Sequence, residues 1–67
     1  MNIGARVAVV SFEGKQRHTG SVEGMGWFAK EGEIREVYLV KLDTGFYDPN
    51  GGYVSLLASH ADSLKPI

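Results

Sequence analysis

Alternation of apolar and polar residues with a period of two, cut by glycine every few positions, is the dominant pattern along this chain. It predicts short strands rather than helices. Residues 5–11, Ala5-Arg6-Val7-Ala8-Val9-Val10-Ser11, are rich in β-branched side chains and too few for a stable helix, so a first strand is expected there. Val7 and Val9 share one face of it, Ala8 and Val10 the other. The polar stretch 12–17 predicts a loop. A second strand is expected from His18 or Thr19 to Lys30, with Gly20, Gly24 and Gly26 marking a bulge, a sharp bend or a close backbone approach. After a turn at 30–33, residues 34–43 predict a third strand. Its Tyr38, Val40 and Leu42 fall on one face and Val37, Leu39 and Lys41 on the other; Lys41 favours solvent, which assigns the first set to the core.

Further along, Asp43-Thr44-Gly45 predicts a turn, and residues 46–52 a loop built on Pro49, Asn50, Gly51 and Gly52. Residues 53–57 predict a fourth strand. The stretch 55–64 admits two readings. One is a helix with Leu56, Leu57, His60, Ala61 and Leu64 on one side; the other is a single helical turn at 59–62 followed by a last strand at 63–66. The second is preferred, because a helix of that length is marginal alone and Pro66 disfavours its extension. The expected fold class is therefore all-β: five short strands in a small closed barrel, with a bent second strand and a helical turn before the last.

The motifs behind this reading resemble the SH3-like barrels of the KOW type. Ile3-Gly4-Ala5-Arg6-Val7-Ala8-Val9 resembles their opening G-x-x-V-x-V, and Thr19-Gly20-Ser21-Val22 their G-x-V second strand. Val40-Lys41-Leu42-Asp43-Thr44-Gly45 looks like V-x-L-D-x-G, and Leu64-Lys65-Pro66 like the closing L-x-P. The four occur in the right order over nearly the whole chain. They encode turn and barrel geometry, so the resemblance implies a fold and little about function. KOW modules that bind RNA or partner proteins are commonly basic, unlike this chain. The photosystem subunit of this fold is similar in its long variable loops, but nothing in this sequence specifies a photosynthetic partner. The plasmid-borne dihydrofolate reductases are homotetramers of such barrels, with a pore carrying Val-Gln-Ile-Tyr. The corresponding Tyr53-Val54-Ser55-Leu56-Leu57 lacks that arrangement, and the activity is not carried over. The resemblance also leaves open a small barrel from a phage or mobile element.

Composition narrows the function classes. At 67 residues the chain is one domain, and a core this small contributes about 3–5 kcal/mol of net stability unless something staples it. There is no cysteine, which removes disulfides and thiolate-bound metal. His18 and His60 are far apart with no ligand spacing around them, so no metal or cofactor is expected. Tight β packing and self-association into a homo-oligomer are the remaining devices. Seven basic and eight acidic residues are interspersed, giving a net charge of −1, where a dedicated nucleic-acid binder shows a basic surplus. No apolar run is long enough for a membrane span, and the first residues do not read as a signal peptide. A cytoplasmic location is the expectation.

The aromatic residues are the most suggestive candidates. Phe46 and Tyr47 fall in a predicted loop, Tyr53 opens the next strand, and Trp27 and Phe28 are neighbours in a strand. One of that pair must leave the core side. Exposed, such residues anchor a partner protein or stack bases; buried, they cap the barrel ends. Val10, Leu39 and Leu57 form an expected outer-face apolar set suited to an interface. The leading expectation is thus a non-catalytic module for protein–protein or self-association, using Trp27, Phe28, Leu39, Phe46, Tyr47, Tyr53 and Leu57. The alternative is a nucleic-acid-binding barrel in which Lys15, Arg17, Lys30 and Lys41 meet phosphates, with Lys15, Arg17 and His18 as the one local basic cluster. A third reading, an enzyme with its site at an oligomer interface, has no motif behind it. Ser59, His60 and Asp62 are adjacent in sequence without forming a triad, and a capped helical turn explains them.

Overall fold

The computed structural model describes residues 1–10 and 16–67. The strands are β1 (Arg6–Val10), β2 (Gln16–Lys30), β3 (Glu33–Tyr47), β4 (Tyr53–His60) and β5 (Leu64–Pro66), with a 3₁₀ turn, η1, at Ala61–Ser63. They form one antiparallel sheet in the order β4-β3-β2-β1-β5. This is the expected five-stranded SH3-like barrel, with its helical turn before the last strand. The stretch 55–64 resolves as strand and then turn. The turn starts two residues later than expected, at Ala61, and β5 begins at Leu64.

The sheet curls around one core because its two long strands each serve both halves. The first part of β2 pairs with β1 and the second part with β3; Gly20 and Ser21 pair with both. Val7 and Val9 of β1, Val22 of β2, Tyr38, Val40 and Leu42 of β3 and Leu64 of β5 make one core cluster, against which Leu57 of β4 packs. Side chains from both edge strands, β4 and β5, thus reach the same interior. Tyr38, Val40 and Leu42 are the predicted core face, and Val40 is 0% exposed. Each fully buried valine contributes about 1.5–3 kcal/mol of transfer free energy against the entropy of ordering the chain.

The glycines of β2 do two different jobs. A Cβ on Gly20 would overlap the carbonyl oxygen of Lys41 and lie 2.9 Å from Cγ1 of Val40, so this position is a close approach of β2 to β3. A bulge falls between Val22 and Gly24, leaving Glu23 as the extra residue. The bulge reverses the alternation. Val22 faces the core opposite Val40, and beyond Glu23 it is Met25, opposite Tyr38, that shares that face.

Several boundaries depart from expectation. Asp43-Thr44-Gly45 is not a turn: β3 continues to Tyr47, with a register irregularity between Lys41 and Phe46 that bends it instead. The turn lies later, where Asp48 accepts from the amides of Asn50 (2.9 Å) and Gly52 (2.8 Å) through its carboxylate and from Gly51 (2.9 Å) through its carbonyl. Gln16 and Arg17, expected in a loop, begin β2; the remainder of that predicted loop, with Phe12 and Lys15, lies outside the described residues. At the far end, Lys30 pairs with Glu33 across a two-residue turn in which both Glu31 (φ 54°) and Gly32 (φ 81°) are left-handed.

Candidate functional site

Beyond Gly26, β2 and β3 run on as a two-stranded ribbon. β1 pairs with β2 no further than Ser21, and β4 pairs with β3 no earlier than Val37. The ribbon therefore runs on past both neighbouring strands, with His60 of β4 reaching only Phe28 on its outer face. Register fixes what each face carries. Met25, Trp27, Ala29, Ile34 and Glu36 continue the core face, because Met25 opposes Tyr38 and Trp27 opposes Glu36. Phe28, Arg35 and Val37 lie on the outer face with Leu39. Trp27 is 66% and Ile34 76% exposed, since there is no barrel left beneath them to bury against. Of the neighbours Trp27 and Phe28, it is Phe28 that leaves the core side, and its ring packs at 5.2 Å on the imidazole of His60.

A second exposed group sits at the opposite hairpin. Tyr47 and Tyr53 face each other across β3 and β4, edge to face at 5.2 Å, and are 74% and 60% exposed. The ring of Tyr53 lies over Gly45, where a Cβ would come within 2.5 Å of its Cζ. Phe46, expected beside Tyr47 at the surface, points the other way. It packs against the core and stacks on His18 at 4.7 Å with a 14° angle between the rings. Val9, Val10, His18, Phe46 and Leu57 line a cleft of about 500 Å³ beside that stack.

The expected outer set of Val10, Leu39 and Leu57 does not form. Leu57 opposes Val40 and so belongs to the core side, opposite to Leu39. Val10 is buried and lines the cleft; the ladder shifts register beside it, with Arg17 the extra residue on β2. On the outer face Leu39 keeps the company of Phe28, Val37, Leu56 and Ala58 instead. Sequence reading overlooked Met25, Ile34 and Leu56 as surface groups. The bulge and the length of the ribbon put Met25 and Ile34 there, and pairing with Lys41 puts Leu56 on the outer face.

The basic candidates are dispersed. Arg17 is at the start of β2 and Lys30 at its end, Lys41 is on the outer face of β3, and Lys15 lies outside the described residues. Arg6, which the sequence did not single out, is held by Asp43 across the sheet, with Arg6 Nη1 donating to Asp43 Oδ1 (2.7 Å) and Ser21 Oγ (2.9 Å). Thr19 Oγ1 also donates to Asp43, at 2.7 Å. The bonds from Arg6 and Thr19 hold the Asp43 carboxyl at about 2, below its usual range. No family model, curated protein or solved structure matches this chain.

Ser59 and His60 point to opposite faces, the serine buried and donating weakly to the carbonyl of His60 (3.3 Å), the imidazole on Phe28. They do not converge on Asp62. The capped-turn explanation is also corrected, because His60 is the N-cap of η1 without a side-chain capping bond. Among the described residues no three His, Asp or Glu side chains gather in a metal-binding group. No helix among them is long and apolar enough to cross a membrane.

Proposed function

We propose that this chain is a non-catalytic binding module that docks onto other protein surface through the side chains its barrel leaves outside. The carrying observation is the inventory of large apolar residues. Trp27, Ile34, Tyr47 and Tyr53 are all at least 60% exposed, and Met25, Phe28, Leu39 and Leu56 are exposed as well. Patches of this kind on a small domain mark interaction surfaces, and tryptophan and tyrosine are the side chains most enriched at interface centres. The scattering of Arg17, Lys30 and Lys41, with a net charge of −1, favours protein over nucleic acid as the partner.

Two measurements test this reading. A photoreactive phenylalanine analogue placed at position 28, 39 or 47 is expected to yield protein adducts on irradiation in cells. Labelled DNA and RNA are expected to show no salt-sensitive binding at about micromolar concentration. Nucleic-acid adducts at these positions, with an affinity that falls steeply as salt rises, would overturn the proposal in favour of a nucleic-acid-binding barrel.

A further inference from the structure

The projecting ribbon carries its own answer to what covers it. We infer that the face formed by Met25, Trp27 and Ile34 is the contact of a two-fold symmetric homodimer, each copy of the chain covering the ribbon of the other. This rests on the protein-binding reading above and names the partner.

Two observations point to a second copy. The first is area. With Met25 47%, Trp27 66% and Ile34 76% exposed, these three side chains offer about 400 Å² per copy, roughly half of the ~800 Å² that each partner contributes to a standard interface. The polar rim of the ribbon and the tip at Lys30–Glu33 supply the remainder. The second is the size of the core. Seven buried residues make up the main cluster, and cysteine and a three-ligand metal group are both lacking among the described residues, so association is the staple left to a domain this small. A second copy is always present at the concentration of the first, which makes it the partner able to supply that staple continuously. The outer face around Phe28 and Leu39 is less exposed and interrupted by Gly24 and Gly26, so it offers less to bury.

Trp27 is the sole tryptophan, so its emission reports on this face alone. Raising the concentration through about 10 µM is expected to move the emission to shorter wavelength, while light scattering shows the mass doubling from 7.3 kDa. Ile34→Glu, which leaves the tryptophan in place, is expected to abolish both changes, and Trp27→Glu the mass change. Tyr47→Glu, at the other hairpin, is expected to preserve them. Circular dichroism keeps these variants interpretable, because all three side chains lie outside the barrel core. A constant emission and a monomeric mass up to about 1 mM would overturn the inference, as would a dimer that survives both Trp27→Glu and Ile34→Glu. A monomer that still gives protein adducts from positions 28, 39 or 47 overturns the second copy and keeps the binding module. A monomer with no protein adduct overturns both.

Discussion

Replacing two glycines of the same strand by alanine should have opposite effects, and the difference can be worked from their surroundings. At Gly20 the new methyl would overlap the carbonyl oxygen of Lys41 and crowd Val40 Cγ1. Even weak C–H···O contacts need about 3.3 Å, so β2 and β3 must part by about an ångström at the centre of the sheet. Overpacking of this kind costs about 1–3 kcal/mol, and each ladder hydrogen bond stretched by the separation adds up to about 1 kcal/mol. Gly26, six residues on, has no atom within 4 Å of a built Cβ, and its φ is not in the left-handed region. Alanine there restricts the unfolded chain and is expected to stabilise by about 0.4–1 kcal/mol. The two variants should therefore differ by about 3 kcal/mol, comparable to the whole net stability of a domain this small. In a 60–100-residue domain this separates their melting temperatures by about 12–25 °C, with Gly26→Ala above wild type and Gly20→Ala far below. Thermal unfolding followed by circular dichroism, at one fixed concentration so that association does not intrude, reads this directly. Two variants melting within about 2 °C of each other would refute the close approach of Gly20 to the Lys41 carbonyl.

Two further outcomes follow from other parts of the sheet. Glu31 takes a left-handed conformation in the Lys30–Glu33 turn, where asparagine is better tolerated; Glu31→Asn should raise stability by about 0.5–1 kcal/mol in urea titration, and a loss would argue against the two-residue turn. Asp43 titrates at about 2 in the folded protein against an ordinary 3.8, so its contribution is complete above pH 4 and lost as pH falls through 2. Wild type should thus lose stability more steeply than Asp43→Asn between pH 4 and pH 2, and parallel acid-unfolding curves would show that the Arg6–Asp43 pair contributes nothing.

What the chain determined by itself was the set of strands and the identity of the core. Period-two alternation is a local property, so Tyr38, Val40 and Leu42 could be assigned inward from Lys41 alone, and glycines and prolines mark turns through their own backbone limits. The all-β class, the five strands and the late helical turn follow from such local facts. Face and reach do not. Which of Trp27 and Phe28 turns outward depends on the bulge at Glu23, and where an extra residue falls is fixed by the pairing of β2 with β3. Leu57 sits inward because it opposes Val40, a pairing seventeen residues distant that its own neighbours do not encode. Asp43-Thr44-Gly45 has turn composition, yet pairing on either side, at Lys41 and Phe46, carries β3 through it. The exposure of Trp27 and Ile34 was also a tertiary outcome: β1 and β4 end before the ribbon does, and burial depends on what lies opposite a side chain rather than on the side chain itself.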